Sequence, residues 1–216
     1  MPRNLVSLGL SCIVFLLAGN LPAQNTSTAS ASSSRSSSHA KTVLDPGAIA
    51  DGVYRNAGFG FSCKVPFGWV ERTEQMQGDS DPGKGLVLLA AFERPPEATG
   101  EAVNAAIVIA AESVTSYPGL KTAADYFGPM TELITGKGFK VVNQPYLFDV
   151  GGKQLARGDY SKELGTVAMH QASLVIVAKG YVVSFTFIGG SEDEVRGLVE
   201  GLNFGVGGAG KRPPAK

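Results

Sequence analysis

Cysteine is almost missing: Cys12 and Cys63 are the only two in 216 residues. Histidine is as sparse, with His39 and His170, and Trp69 is the single tryptophan. A structural zinc site needs about four Cys or His ligands, so one folded Cys and one folded His fall short of it. Charge of one sign is also lacking, with 19 basic and 19 acidic residues. A balanced chain without a basic stripe argues against nucleic acid and anionic lipid as partners. No cofactor and no metal are expected.

One apolar run stands out, at the start. "MPRNLVSLGLSCIVFLLAGNLPAQ" has a short n-region with Arg3, an apolar stretch from Leu5 to Ala18, and small residues near Leu21-Pro22-Ala23. That is the layout of a secretory signal, too short for a membrane span, with cleavage expected near Ala23. Cys12 lies inside the run, after Gly9-Leu10-Ser11, which is not a lipidation context. A periplasmic or secreted protein with no stable membrane anchor after cleavage is therefore expected. It would keep Cys63 alone, with no internal disulfide, either as a buried thiol or as a reactive one. Loss of Arg3 leaves 18 basic residues against 19 acidic.

Residues 24–42 are almost wholly Ser, Thr and Ala, cannot bury enough surface to offset their ordering entropy, and read as a tether. Residues 43–204 have globular composition and suit one domain. Residues 205–216, "GVGGAGKRPPAK", read as a disordered tail.

Within the domain, period-2 alternation dominates. "FGFSCKVP" places Phe59, Phe61, Cys63 and Val65 on one face, and Pro66-Phe67-Gly68 turns the chain into a returning strand at Trp69-Val70, making a hairpin. Strands follow at 86–93 and 104–114. A helix over 120–135 is interrupted at Gly128-Pro129, which predicts a kink or two short helices. Two hairpins come next, one turning at Gly151-Gly152 and one at Lys179-Gly180. Ser191 with Glu194 three residues on forms a capping box, and Val195, Leu198, Val199 and Leu202 make an apolar stripe, so the last helix spans 192–203. Four strands, a helix, four strands and a helix give an α+β domain. Its mostly antiparallel sheet carries two main helices.

Several motifs resemble chemistry. "GVGGAGKR" has the letters of a phosphate loop, but Arg212 replaces the hydroxyl residue that holds magnesium and no helix follows. "DSDPG" starts like a calcium loop with Asp79 and Asp81, yet Ala90 stands where the bidentate Glu belongs. Arg157-Gly158-Asp159 spells an adhesion tripeptide, but such a signal must project on a loop and this one lies within or next to a strand, so chance is the default reading. His170 is the sole histidine base for a nucleophile, and a Cys63–His170 dyad has nothing in the sequence that joins its members. No catalytic residue is assigned. Trp69, Tyr117, Tyr126, Tyr146, Tyr160 and Tyr181 fall near element ends, and of these Trp69, Tyr117 and Tyr160 are the candidate ligand-binding residues. The same aromatics also serve to close the edge of a small core, and without convergent polar groups that reading leads.

"YRNAGFGFSCKVPFGW", "AADYF", "DVGGKQLARGDY" and "KGYVVSFTFIGGSEDEVRGLVEGLNF" together resemble the PsbP/Mog-type group, which includes PsbP-like and DcrB-like exported bacterial proteins. The resemblance covers residues 52–204. It implies an α/β/α sandwich around an antiparallel sheet. It also implies a non-catalytic accessory or binding role in the cell envelope, with an envelope protein or small ligand as partner. A small secreted hydrolase or thiol enzyme using His170 or Cys63 is the alternative.

Overall fold

The computed structural model describes residues 44–78, 85–98, 100 and 102–205. The expected leader, the tether, the "DSDPG" loop from Asp79 and the tail after Gly205 lie outside the described residues.

The chain begins with three short strands, β1 (Ala48–Ala50), β2 (Val53–Asn56) and β3 (Phe61–Lys64). After β4 (Val70–Glu71) and the short helix α1 (Thr73–Gln77) come β5 (Gly85–Phe92) and β6 (Ala106–Ser113). Helix α2 (Phe127–Gly136) leads into β7 (Lys140–Val150), β8 (Lys153–Leu164), β9 (Val167–Ala178) and β10 (Tyr181–Gly189). Helix α3 (Glu192–Glu200) and β11 (Leu202–Phe204) close the domain.

Two antiparallel sheets result, in the orders β1-β2-β3-β11 and β4-β5-β6-β10-β9-β8-β7. The seven-stranded sheet is the middle layer. On one face Phe185, Phe187, Leu174, Ile107 and Ile109 meet Phe61 and Cys63 of the small sheet and Val195, Leu198 and Val199 of α3. On the other face Val182, Ile188, Val175 and Ala106 meet Met76 of α1 and Phe127, Met130 and Ile134 of α2. The architecture is α+β, as the alternation implies. The layer carrying α3 is shared with a small sheet that the order of elements does not disclose.

Three local expectations change. Pro66–Gly68 does turn the chain, with Trp69 N–H donating to Pro66 O at 3.3 Å and Gly68 at φ +83°. It makes no hairpin, however: β4 pairs with β5 while both edges of β3 are taken by β2 and β11. The turn hands the chain from one sheet to the other. Pro129 falls in the first turn of α2, where its missing N–H costs nothing. The interruption comes just ahead of it, as a 3-10 turn at Ala124–Tyr126. The last helix stops at Glu200 rather than 203, because Gly201 caps it and Leu202 and Phe204 alternate inward to pair with Cys63 and Phe61.

The two hairpins stand as read. Gly151 and Gly152 at φ +60° and +81°, and Lys179 and Gly180 at +52° and +82°, supply the two positive-φ residues that a tight two-residue loop requires. At α3, Ser191 Oγ accepts from Glu194 N–H at 3.2 Å, while the Glu194 carboxylate reaches back to Gly190 N–H at 2.7 Å.

Candidate functional site

Helix α3 packs over β9 and β10, which leaves the β7–β8 wing of the large sheet open on that face beyond the buried Val150 and Leu155. The gap is a groove of about 370 Å³ between α3 and the wing. Its lining follows from two periodicities. The i, i+4 row Glu192, Arg196 and Glu200 lies beside the buried Val195–Val199 stripe. On β8 the face that buries Leu155 continues to Arg157 and Asp159, so charge occupies inward positions just where the helix no longer covers the strand.

Arg157 and Asp159 are 14% and 15% exposed and bonded to each other, Arg157 Nε donating to Asp159 Oδ1 at 2.9 Å. The guanidinium carbon stands 4.6 Å from the Phe148 ring centre and 6.0 Å from that of Tyr146. Asp159 Oδ2 accepts from Asn143 Nδ2 and from Tyr146 Oη, each at 3.2 Å. Burial pushes the Tyr146 phenol up, with Arg157 opposing and Asp159 adding to the rise. Across the groove His170 Nδ1 lies 3.9 Å from Glu192 Oε1, and Arg196 is held by Asp193 at 2.5 Å. The wall is thus a pre-positioned stack of aromatic rings and hydrogen-bonding groups, suited to holding a ligand.

The three sequence candidates lie apart. Trp69 is half-buried and packs against the core on the α3 side of the large sheet. Tyr117 sits on the opposite face and donates to Glu112 Oε2 at 2.9 Å. Tyr160 contributes to the groove lining, but its ring is 2% exposed and its hydroxyl shares a 2.8 Å hydrogen bond with that of Thr131 in α2. The groove's working aromatic is Tyr146, with Phe148. Arg157 and Asp159, two of the three residues of the adhesion-like tripeptide, belong to the groove instead. The available signal was a charged pair at i and i+2 on the face that buries Leu155.

Cys63 is fully buried, and burial pushes its thiol up to about 12. Its sulfur meets the Lys64 carbonyl at 3.7 Å, and nothing joins it to His170 among the described residues. In the ladder His170 stands opposite Ser161, on the same face, with no hydrogen bond between the two side chains. Among the described residues no group of three His, Cys, Asp or Glu side chains converges to hold a metal ion. Within the same residues no helix is long and apolar enough to cross a membrane.

No protein-family model and no curated protein sequence matches the chain. Among solved structures the chain is similar to cyanobacterial PsbP (CyanoP) from Synechocystis sp. PCC 6803. The identity is 15% and the TM-score 0.46, over 70% of this chain and 91% of that one. It is also similar to LpqN of Mycobacterium tuberculosis, involved in cell envelope biogenesis. There the identity is 17% and the TM-score 0.38, over 65% of this chain and 76% of that one. At these scores neither likeness bears on function.

Proposed function

We propose that the protein is an exported, non-catalytic binding or accessory protein of the cell envelope, and that the groove between α3 and β7–β8 is where it holds its partner. The observation that carries this reading is the Phe148–Arg157–Asp159–Tyr146 stack. It places four groups with fixed geometry in an open groove of about 370 Å³. The signal-like N-terminus supports export, and the deep burial of Cys63 supports a thiol that serves packing.

A photo-crosslinking side chain placed at Asn143, in the producing cell, tests the reading. A discrete adduct is expected, and it should vanish with Arg157→Ala while the same probe at exposed Lys153 gives none. No adduct from the Asn143 probe, or equal labelling from both positions, overturns it.

One observation favours the enzyme alternative: His170 stands 3.9 Å from Glu192 and faces Ser161 across the β8–β9 ladder, although no hydrogen bond joins the serine to it. A fluorophosphonate that labels Ser161, with labelling lost in His170→Ala, establishes that alternative. An unlabelled protein sinks it. Cys63 should react with a thiol reagent only as fast as the domain unfolds.

A further inference from the structure

Strand β7 ends the seven-stranded sheet and pairs only with β8. It runs for 11 residues, and no backbone hydrogen bond beyond the β8 ladder ties it to another segment among the described residues. An edge of that length is a row of unpaired donors and acceptors, interrupted here only at Pro145 and the register shifts before Tyr146, and native proteins ordinarily cover or blunt such edges. Here it also carries exposed apolar side chains, with Leu147 at 71%, Val142 at 47% and Tyr146 at 40%.

The edge and the groove are continuous, because Val142, Tyr146 and Phe148 belong to β7 and also line the groove. Building on the binding role proposed above, we propose that β7 is a strand-addition site for an extended peptide segment of a partner protein. The segment hydrogen-bonds along the outer edge of β7. Its alternate side chains, apolar with at least one basic among them, lie on the groove side. Main-chain bonds then supply affinity and the groove supplies selectivity.

Charge sets the basic preference. Arg157 is committed to Asp159, and Arg196 to Asp193. The carboxylates left along the groove are Glu192, with only His170 near it, and Glu200, which has no partner among the described residues. Geometry favours a foreign segment over a second copy. Pro145 and the register shifts between Val141 and Tyr146 occupy the middle of β7. A symmetric β7–β7 ladder would meet that interruption twice, and a partner peptide meets it once.

The full exported chain is screened against a library of short random peptides, and the winners are resynthesised. Expected winners alternate, with apolar and basic residues in one row, and they slow amide exchange along β7. N-methylation of alternate residues along one edge should weaken them by at least about tenfold. The Glu192→Gln, Glu200→Gln double variant should lower affinity several-fold and flatten its salt dependence. Winners indifferent to N-methylation overturn strand addition while leaving the groove a binding site. A library that yields no winner overturns the peptide proposal but leaves the crosslinking result of the binding role standing. Protection of β7 that grows with protein concentration, without peptide, replaces the proposal with self-association.

Discussion

The centre and the wing of the large sheet are built on the same antiparallel ladder and differ in what covers them. In β5, β6 and β10 both faces are roofed, and sequences such as "LLAAF" and "AIVIAA" are buried residue by residue. In β7 the run "KVVNQPYLFDV" is exposed at nearly every position, and β8 turns to Arg157 and Asp159 where its twin positions at the centre would be apolar. A strand roofed on both faces is free to vary only within the volume available. A wing covered by α2 on one face and left open on the α3 face can carry polar groups on the open side at no cost to the core, and the groove lies there.

The sharpest way to break that contrast is to damage both regions equally and compare. Phe185 is fully buried at the centre, edge-on to Phe61 at 4.9 Å and to Phe204 at 5.9 Å. Phe185→Ala should cost about 3–5 kcal/mol in urea or guanidinium unfolding, transfer and cavity terms together. A cost below about 1 kcal/mol would mean that the small sheet does not close on the large one as described.

Next in size is Gly158, where the wing touches α2. A Cβ there would stand 2.7 Å from the Phe127 ring and 3.2 Å from the Tyr160 hydroxyl. Gly158→Ala should destabilise by about 1–3 kcal/mol through overpacking. The same contact explains why Gly sits between Arg157 and Asp159: the aromatic ring behind the strand demands it, and no adhesion signal is needed. An unchanged midpoint would show that α2 shifts away freely.

How much of this was legible depends on the range of the interaction. Hairpins at Gly151-Gly152 and Lys179-Gly180 and the N-terminus of α3 are written in adjacent residues, and the alternation of Phe59, Phe61 and Cys63 reports burial directly. Of the two partners of β3, β2 is local, but β11 arrives from some 140 residues on. Nothing in "FGFSCKVPFGWV" distinguishes a hairpin from a crossing between sheets. The groove was harder still. It exists because α3 covers β9 and β10 and stops short of β7, a tertiary fact that makes Arg157 and Asp159 inward yet uncovered. Tyr117 and Tyr160 were drawn by type, whereas Tyr146 earns its place by which strand is left bare.

A third effect appears as a slope with pH. Glu112, at the end of β6, is 7% exposed and accepts from Tyr117 at 2.9 Å and Tyr126 at 2.5 Å, both on Oε2. Burial holds its carboxyl above the ordinary 4.5, although the two hydroxyls pull the other way. The folded chain therefore keeps this proton longer than the unfolded chain does. The stability linked to it is complete below about 4.5 and is lost as pH rises through the folded value. Glu112→Gln carries no such dependence. The wild type should thus lose ground to that variant between pH 4.5 and neutrality when both are unfolded in urea at each pH. The opposite slope would mean that the tyrosine hydrogen bonds outweigh burial.

The smallest effect separates the two regions most cleanly. Leu147 is 71% exposed on β7, so Leu147→Ala removes little buried surface and should shift unfolding by no more than about 0.5 kcal/mol. A leucine at a position that stabilises nothing by burial is a liability on an open edge unless something covers it. If a partner strand does, the same substitution that leaves the midpoint alone should weaken peptide capture several-fold, since Leu147 then packs against the added strand. The centre of the sheet would show the reverse, with stability falling and binding following only through unfolding. Equal loss of stability and capture in Leu147→Ala would dissolve the distinction between a core that holds the fold and a wing that holds the partner.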